Sequence, residues 1–173
     1  MRKLLFLDVD GVLNSYRTMV ALGGCGHMWS KEDYKLDPIA VALIKKVKDR
    51  GVEIVLSSTW RQGATEEHLK RFNEFTGFDI KFVTPTHADI RGTEIAYILN
   101  MFEQEDGEQP IYCIVDDSCD MLPSQMPNLV RTSGAEGFVW KDYLKVCELL
   151  DLDVYGDPNK KYEEQVWEGS DYV

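Results

Sequence analysis

The sequence predicts an α/β fold, in which a mainly parallel sheet is sandwiched between layers of helix. Two observations carry this. Short apolar runs of strand length alternate with longer amphipathic stretches, and one stretch, LDPIAVALIKKVKDRGVEIVLSS, is a helix pattern running straight into a strand pattern. A third observation concerns the ends of the strands. The run Leu4 to Leu7 stops on Asp8 and Asp10, IVL stops on Ser57 to Thr59, and IYCIV stops on Asp116 and Asp117. In open parallel sheets the carboxyl ends of the strands are where ligands bind.

Each element has its own justification. Leu4 to Leu7 is a continuous apolar run bounded by a turn signal, the pattern of a strand covered on both faces. Asn14 to Lys35 has no clear periodicity and contains LGGCGH, so it reads as a long irregular loop. The next helix is capped by Asp37, carries Pro38 in its first turn, groups Ile39, Leu43, Ile44 and Val47 on one face, and ends at Gly51. VEIVLSS completes a βαβ unit. The segments TEEHLKRFNEFTG, TEIAYILNMF and GFVWKDYLKVCELL then read as helices, with DIKFVT, PIYCIVDD and NLVRT as strands. This succession predicts a Rossmann-like three-layer sandwich over residues 1–150, followed by an acidic C-terminal tail, 151–173, docked through Tyr155, Tyr162 or Trp167.

Composition narrows the classes of function. The chain has 173 residues, 44% of them hydrophobic and 28% charged, an ordinary globular balance for one domain. No stretch approaches membrane-spanning length, and the basic start MRK is followed by an apolar run that two aspartates interrupt, which argues against a signal peptide. The expectation is a cytoplasmic protein with no membrane contact and no obligate protein partner. Cys25, Cys113, Cys119 and Cys147 form no CxxC pair and read as reduced thiols, with a zinc site at Cys25 and His27 disfavoured for want of paired ligands. Net charge is −11, of which the last 23 residues contribute −5, so the acidity is spread along the chain and gives no long-range attraction for nucleic acid.

The polar strand ends fit hydrolysis of a phosphomonoester. That reaction needs a nucleophile, an acid for the leaving oxygen, and positive charge around the transferring phosphoryl group. Asp8 can attack to form an aspartyl-phosphate, and Asp10 can protonate the leaving alcohol and then activate water. Ser57 and Arg91 can hold phosphoryl oxygens, Ser58 and Thr59 are alternatives on the same turn, and Gly11 lets the chain turn sharply behind the aspartates. Carboxylates this crowded call for a hard cation such as Mg²⁺, with oxygen ligands from the side chains of Asp8, Asp116 and Asp117 and from the Asp10 backbone carbonyl.

Taken in order, DVDGVL, IVLSS, RGTEI and IVDD resemble the four motifs of the haloacid dehalogenase (HAD) superfamily of phosphohydrolases. The resemblance covers residues 4 to about 120. It implies a Rossmann-like core, Mg²⁺, Asp8 as nucleophile and Asp10 as acid and base. The third motif of that superfamily is more often lysine, which makes Lys81 the fallback for Arg91. Little sequence is free to form a cap domain, so a minimal cap and an open site are expected, similar to the phosphatase modules of polynucleotide end-repair enzymes. An open site would admit a large substrate such as a nucleic-acid end or a phosphoprotein, and the resemblance favours a nucleotide or a nucleic-acid end.

Simpler readings compete with each motif. An EF-hand loop starting at Asp8 would place Leu13 at its glycine position and Met19 at its bidentate glutamate, so it fails. SSTW alone is also a helix-capping turn, and Arg91, Asp116 and Asp117 alone are also surface charges. A tryptophan at Trp60 is most often packing, whereas an exposed Trp60 beside Arg61 would make a surface for stacking a base and holding a phosphate, and both are kept as substrate-binding candidates. Arg17 and Arg131 are further phosphate candidates, while His27 and His87 read as ordinary surface or core residues. The alternative from a different class is a non-catalytic HAD-fold module that binds protein through its acidic, aromatic tail.

Overall fold

The computed structural model describes residues 1–24, 26, 34–86 and 90–155. Cys25, His27, His87, Tyr162 and Trp167, and the expectations placed on them, lie outside the described residues. Five strands, β1 (Lys3–Leu7), β2 (Glu53–Leu56), β3 (Phe82–Val83), β4 (Ile111–Asp116) and β5 (Leu129–Arg131), form one sheet in the order β3-β2-β1-β4-β5. Every pairing is parallel. The helices are α1 (Tyr16–Leu22), α2 (Pro38–Lys48), α3 (Glu66–Thr76), α4 (Arg91–Asp106) and α5 (Trp140–Leu149).

Strand β1 shows why the sheet is covered on both faces. Leu4, Leu5, Phe6 and Leu7 are all fully buried, and their side chains alternate between two cores. Leu5 and Leu7 join the cluster built on Ile44 and Val47 of α2, Phe72 of α3, and Tyr143 and Val146 of α5. Leu4 and Phe6 join Ile95, Ile98, Leu99 and Phe102 of α4. At roughly 1.5–3 kcal/mol for each large apolar side chain removed from water, this strand alone is a major contribution to folding.

Helix α2 starts as the sequence suggests: the Asp37 carboxylate accepts from the backbone N–H groups of Ile39 and Ala40, and Pro38 occupies the first turn. One expected member of its apolar face is displaced. Ile39 is 66% exposed, and Ala40, Ile44 and Val47 make the buried stripe instead, because a stripe at positions i, i+4 and i+7 leaves position i−1 off the seam.

The predicted irregular loop after β1 contains a short helix. Ser15 caps α1 by accepting from the Thr18 N–H, and Gly23 ends it in the left-handed conformation. Thr18 is its buried residue, whereas Tyr16 and Val20 are 68% and 85% exposed, so no amphipathic period marks it. The start of the tail is anchored through Val154, whose carbonyl accepts from Tyr143 Oη and Arg50, while Tyr155 itself is exposed.

The order of the strands decides where a ligand can sit. The chain leaves β1 towards β2 and β3 on one side, then returns by α4 to β4 on the other side of β1. The carboxyl ends of β1 and β4 therefore flank the point where the sheet order reverses, and a crevice forms there.

Candidate active site

Asp8 and Asp116 close the two central strands and meet in that crevice. The Asp8 N–H continues the ladder by donating to the Val115 carbonyl at 3.0 Å, which fixes its backbone beside β4. Asp8, Asp116 and Asp117 each bring a carboxylate oxygen within 4.8 Å of the others. Gly11 makes room for this: its φ is +71°, and a Cβ there would stand 2.2 Å from Asp117 Oδ2. Its carbonyl accepts from the Thr132 hydroxyl just beyond β5.

One cation is threaded into the cluster. Arg91 Nη1 lies 3.2 Å from Asp8 Oδ1 and 2.5 Å from Asp116 Oδ2, and it donates to the Ser57 carbonyl at 2.7 Å. Arg91 gets there because α4 is docked tightly at its first turn. The Asp120 carboxylate and carbonyl accept from the N–H groups of Arg91 and Gly92, replacing a side-chain cap on α4 itself. A Cβ at Gly92 would come within 2.3 Å of the Leu122 nitrogen, so only glycine permits this approach.

Burial dominates the electrostatics. The Asp8 carboxyl is pushed up to about 7, first by loss of solvent, then by the charge of Asp116, against the opposing pull of Arg91 and a hydrogen bond from Ser58. Asp116 is also raised, by burial above all, with Arg91 opposing. Burial works against the Arg91 charge as well, but Asp8, Asp116 and Asp120 together outweigh it and hold the guanidinium above its ordinary value. The cluster is thus short of positive charge even with Arg91 in place. An all-oxygen, three-carboxylate set is the donor chemistry of a hard divalent cation, and these residues fit one.

The serine turn is used differently from the simplest expectation. Ser58, 0% exposed, turns its hydroxyl to Asp8, while the Ser57 hydroxyl faces Thr84 at 3.5 Å and Ser57 serves the site through its carbonyl. Thr59 is exposed at the start of a short 3₁₀ turn, Thr59–Arg61, that Ser58 caps.

The expected stacking surface of Trp60 and Arg61 is not formed. Trp60 is packed against Tyr34 and Phe72, and Arg61 is buried, ion-paired to Glu94 and donating to the carbonyls of Ser58, Thr84 and Pro85. Four of the five guanidinium donors are spent on these partners, and burial keeps the group away from a phosphate at the surface. Arg17 is paired with Asp37 and Glu136, Arg131 braces the Asp117 carbonyl, and Lys81 pairs with Asp79 at the surface. Among the described residues, Arg91 is the cation that reaches the aspartates, and Lys81 does not substitute for it.

Asp10 sits at the rim. It is exposed, with Oδ1 accepting from Asn14 Nδ2 at 2.8 Å and Oδ2 from the Trp60 indole N–H at 3.0 Å. Asn14 in turn accepts from the Gly11 N–H at 3.1 Å. Asn14 and Glu94 are the members of the site that sequence reasoning missed. Their spacing was the available signal: Asn14 lies four residues past Asp10 and Glu94 one turn past Arg91. Beside Asp10 opens a cleft of about 340 Å³, walled by Asn14, Tyr16, Met19, Asp117 and Gly134. A wider cavity of about 470 Å³ lies on α3, between Glu66 and Asp79, and touches none of these groups.

Comparison with known proteins agrees with this geometry. The family model described as the HAD domain in Swiss Army Knife RNA repair proteins matches residues 4–143. No curated protein and no solved structure matches the chain. The match spans β1 to the middle of α5 and takes in every residue of the crevice. The chain belongs to the family of HAD domains found in Swiss Army Knife RNA repair proteins.

Proposed function

We propose that this chain is a Mg²⁺-dependent phosphatase that cleaves a phosphomonoester through an aspartyl-phosphate on Asp8, acting on a nucleotide or a nucleic-acid end. The observation that carries the reading is the pairing of two unlike aspartates two residues apart. Asp8 is buried among carboxylates and Arg91, and Asp10 is exposed beside a cleft that opens to solvent. A nucleophile belongs in the first setting and a leaving-group acid in the second.

In this reading an Asp8 oxygen forms a bond to phosphorus while the bond from phosphorus to the leaving oxygen breaks, and Asp10 gives that oxygen its proton. Asp10 then takes a proton from the water that attacks the aspartyl-phosphate, releasing inorganic phosphate and restoring Asp8. Arg91 and the Ser58 hydroxyl hold charge and orientation around the nucleophile. Asp8, Asp116 and Asp117 would hold Mg²⁺, which when bound supplies the positive charge that keeps Asp8 ionised and neutralises the phosphoryl oxygens.

The family's link to RNA repair supports a nucleic-acid end as substrate, as does a cleft large enough for a nucleoside on the leaving-group side. The net charge of −11 suits recognition of an end rather than tight binding along a strand. The free thiols Cys113, Cys119 and Cys147 suit a reducing compartment such as the cytoplasm, and no helix among the described residues is long and apolar enough to cross a membrane. A non-catalytic protein-binding module would not need a paired nucleophile and acid, so the presence of both Asp8 and Asp10 favours the enzyme.

The test is Mg²⁺-dependent phosphate release from sugar phosphates, nucleotides, phosphopeptides and phosphate-ended oligonucleotides, with Asp8→Asn in parallel. Release by the parent alone from 3′-phosphorylated oligonucleotides is the expected result. Turnover confined to free nucleotides would remove the nucleic-acid end, and silence across the panel would favour the binding module.

A further inference from the structure

One short turn, Ser57 to Arg61, touches each working part of the crevice. Ser58 reaches Asp8, Arg61 grips Glu94 one turn beyond Arg91 on α4, and Trp60 reaches Asp10. The last contact gives the buried Trp60 N–H its acceptor and, in the same bond, gives an exposed carboxylate a fixed donor. The Trp60 ring is already held by Tyr34 and Phe72, with ring centroids 6.4 and 6.2 Å away, and an exposed aspartate needs no partner but water.

We propose that Trp60 is a positioning residue for proton transfer at Asp10, and that its indole N–H and the Asn14 amide together fix the plane of the Asp10 carboxyl. An exposed aspartate otherwise samples several rotamers, only some of which face the leaving oxygen. Here each oxygen has its own donor, at 3.0 and 2.8 Å, and both donors are themselves fixed, Trp60 by aromatic packing and Asn14 by the Gly11 N–H. The hydrophobic core is thereby connected to the acid through one hydrogen bond. The proposal rests on the phosphatase reading, and it specifies which step Trp60 serves.

Trp60→Phe keeps an aromatic ring in the core and deletes the N–H. Leaving-group protonation matters for an alkoxide and little for nitrophenolate, so the variant should lose about ten-fold in kcat on glycerol 2-phosphate, the order expected for one hydrogen bond to a charged group, and no more than about two-fold on 4-nitrophenyl phosphate. Equal losses on both esters, or no loss on either, would overturn the role. The contact has a readout that does not use activity. The four tryptophans yield four indole N–H resonances, Trp60→Phe identifies one, and Asp10→Ala should shift that one. A Trp60 resonance that Asp10→Ala leaves in place would overturn the contact itself. Should the parent turn over only 3′-phosphorylated oligonucleotides, the same loss in Trp60→Phe is read there; silence of the parent on these as well as on both esters would overturn the phosphatase reading and this role with it, whereas an active parent with equal losses in Trp60→Phe overturns this role alone.

Discussion

Two arginines at opposite edges of the sheet show what separates a site from a surface. At the amino-terminal edge Arg2 lies 4.1 Å over the Phe102 ring and pairs with Glu53, Glu105 and Asp106, carboxylates whose side chains are 26–60% exposed. At the carboxyl edge Arg91 pairs with Asp8 and Asp116, whose side chains are 6% and 1% exposed. Both edges place one guanidinium among several acids. Water screens the first group, so each pair there is worth about 0–1 kcal/mol, whereas at the second the acids are driven towards their neutral forms. Charge held against its preference is what a nucleophile and a cation site require.

The largest contrast is in activity. Asp8→Asn should reduce phosphate release by at least about 10³-fold, because the nucleophile is gone and no other group takes its place. Glu105→Gln, at the other edge, should leave turnover unchanged. Steady-state kinetics of the two variants compare the edges directly, and appreciable turnover in Asp8→Asn would erase the distinction.

The next contrast is in stability and has a definite sign. Asp8 titrates near 7 when folded against 3.8 when unfolded, so the stability linked to its protonated form is fully present below pH 3.8 and is lost as pH rises through about 7. Without metal, Asp8→Asn should therefore be more stable than the parent at pH 8, by up to about 4 kcal/mol, with the gap closing towards pH 4. Thermal melts in a chelator across that range provide the check. A parent more stable than Asp8→Asn at pH 8 without metal would contradict the burial argument.

Removing the cation separates the edges again. Arg91→Ala leaves Asp8 and Asp116 buried together and should cost about 3–5 kcal/mol near neutral pH, whereas exposed Glu105→Gln should stay within about 0.5 kcal/mol. Urea unfolding of both variants measures the difference. A smaller effect is expected from Gly11→Ala, which combines a left-handed φ with a methyl pressed on Asp117 and should cost about 1–3 kcal/mol. Its sharper consequence is weaker stabilisation by Mg²⁺ in melts, since the displaced carboxylate is one of the candidate ligands.

Much of the fold and the aspartate cluster was legible because local pattern and tertiary demand coincide there. Leu4 to Leu7 had to be a buried strand, and Asp37 with Pro38 had to begin a helix. Helix α1 was not legible, since it leaves Tyr16 and Val20 in solvent and shows no apolar stripe. Strand β3 was legible in place but not in length, because Phe82–Val83 is an edge of two residues. Trp60 and Arg61 were misread for a different reason. Residue type showed what they can bind, while the direction of each side chain depends on Tyr34, Phe72 and Glu94, residues distant in sequence.

The central claim is that Asp8 carries the phosphoryl group. The most direct measurement is a rapid acid quench of the Mg²⁺-loaded enzyme during turnover of a radiolabelled phosphomonoester, followed by peptide mapping. The account predicts label on the peptide containing Asp8, none in Asp8→Asn, and accumulation in Asp10→Asn, where hydrolysis of the intermediate loses its base. Turnover with no label on that peptide, in the parent and in Asp10→Asn alike, would contradict it.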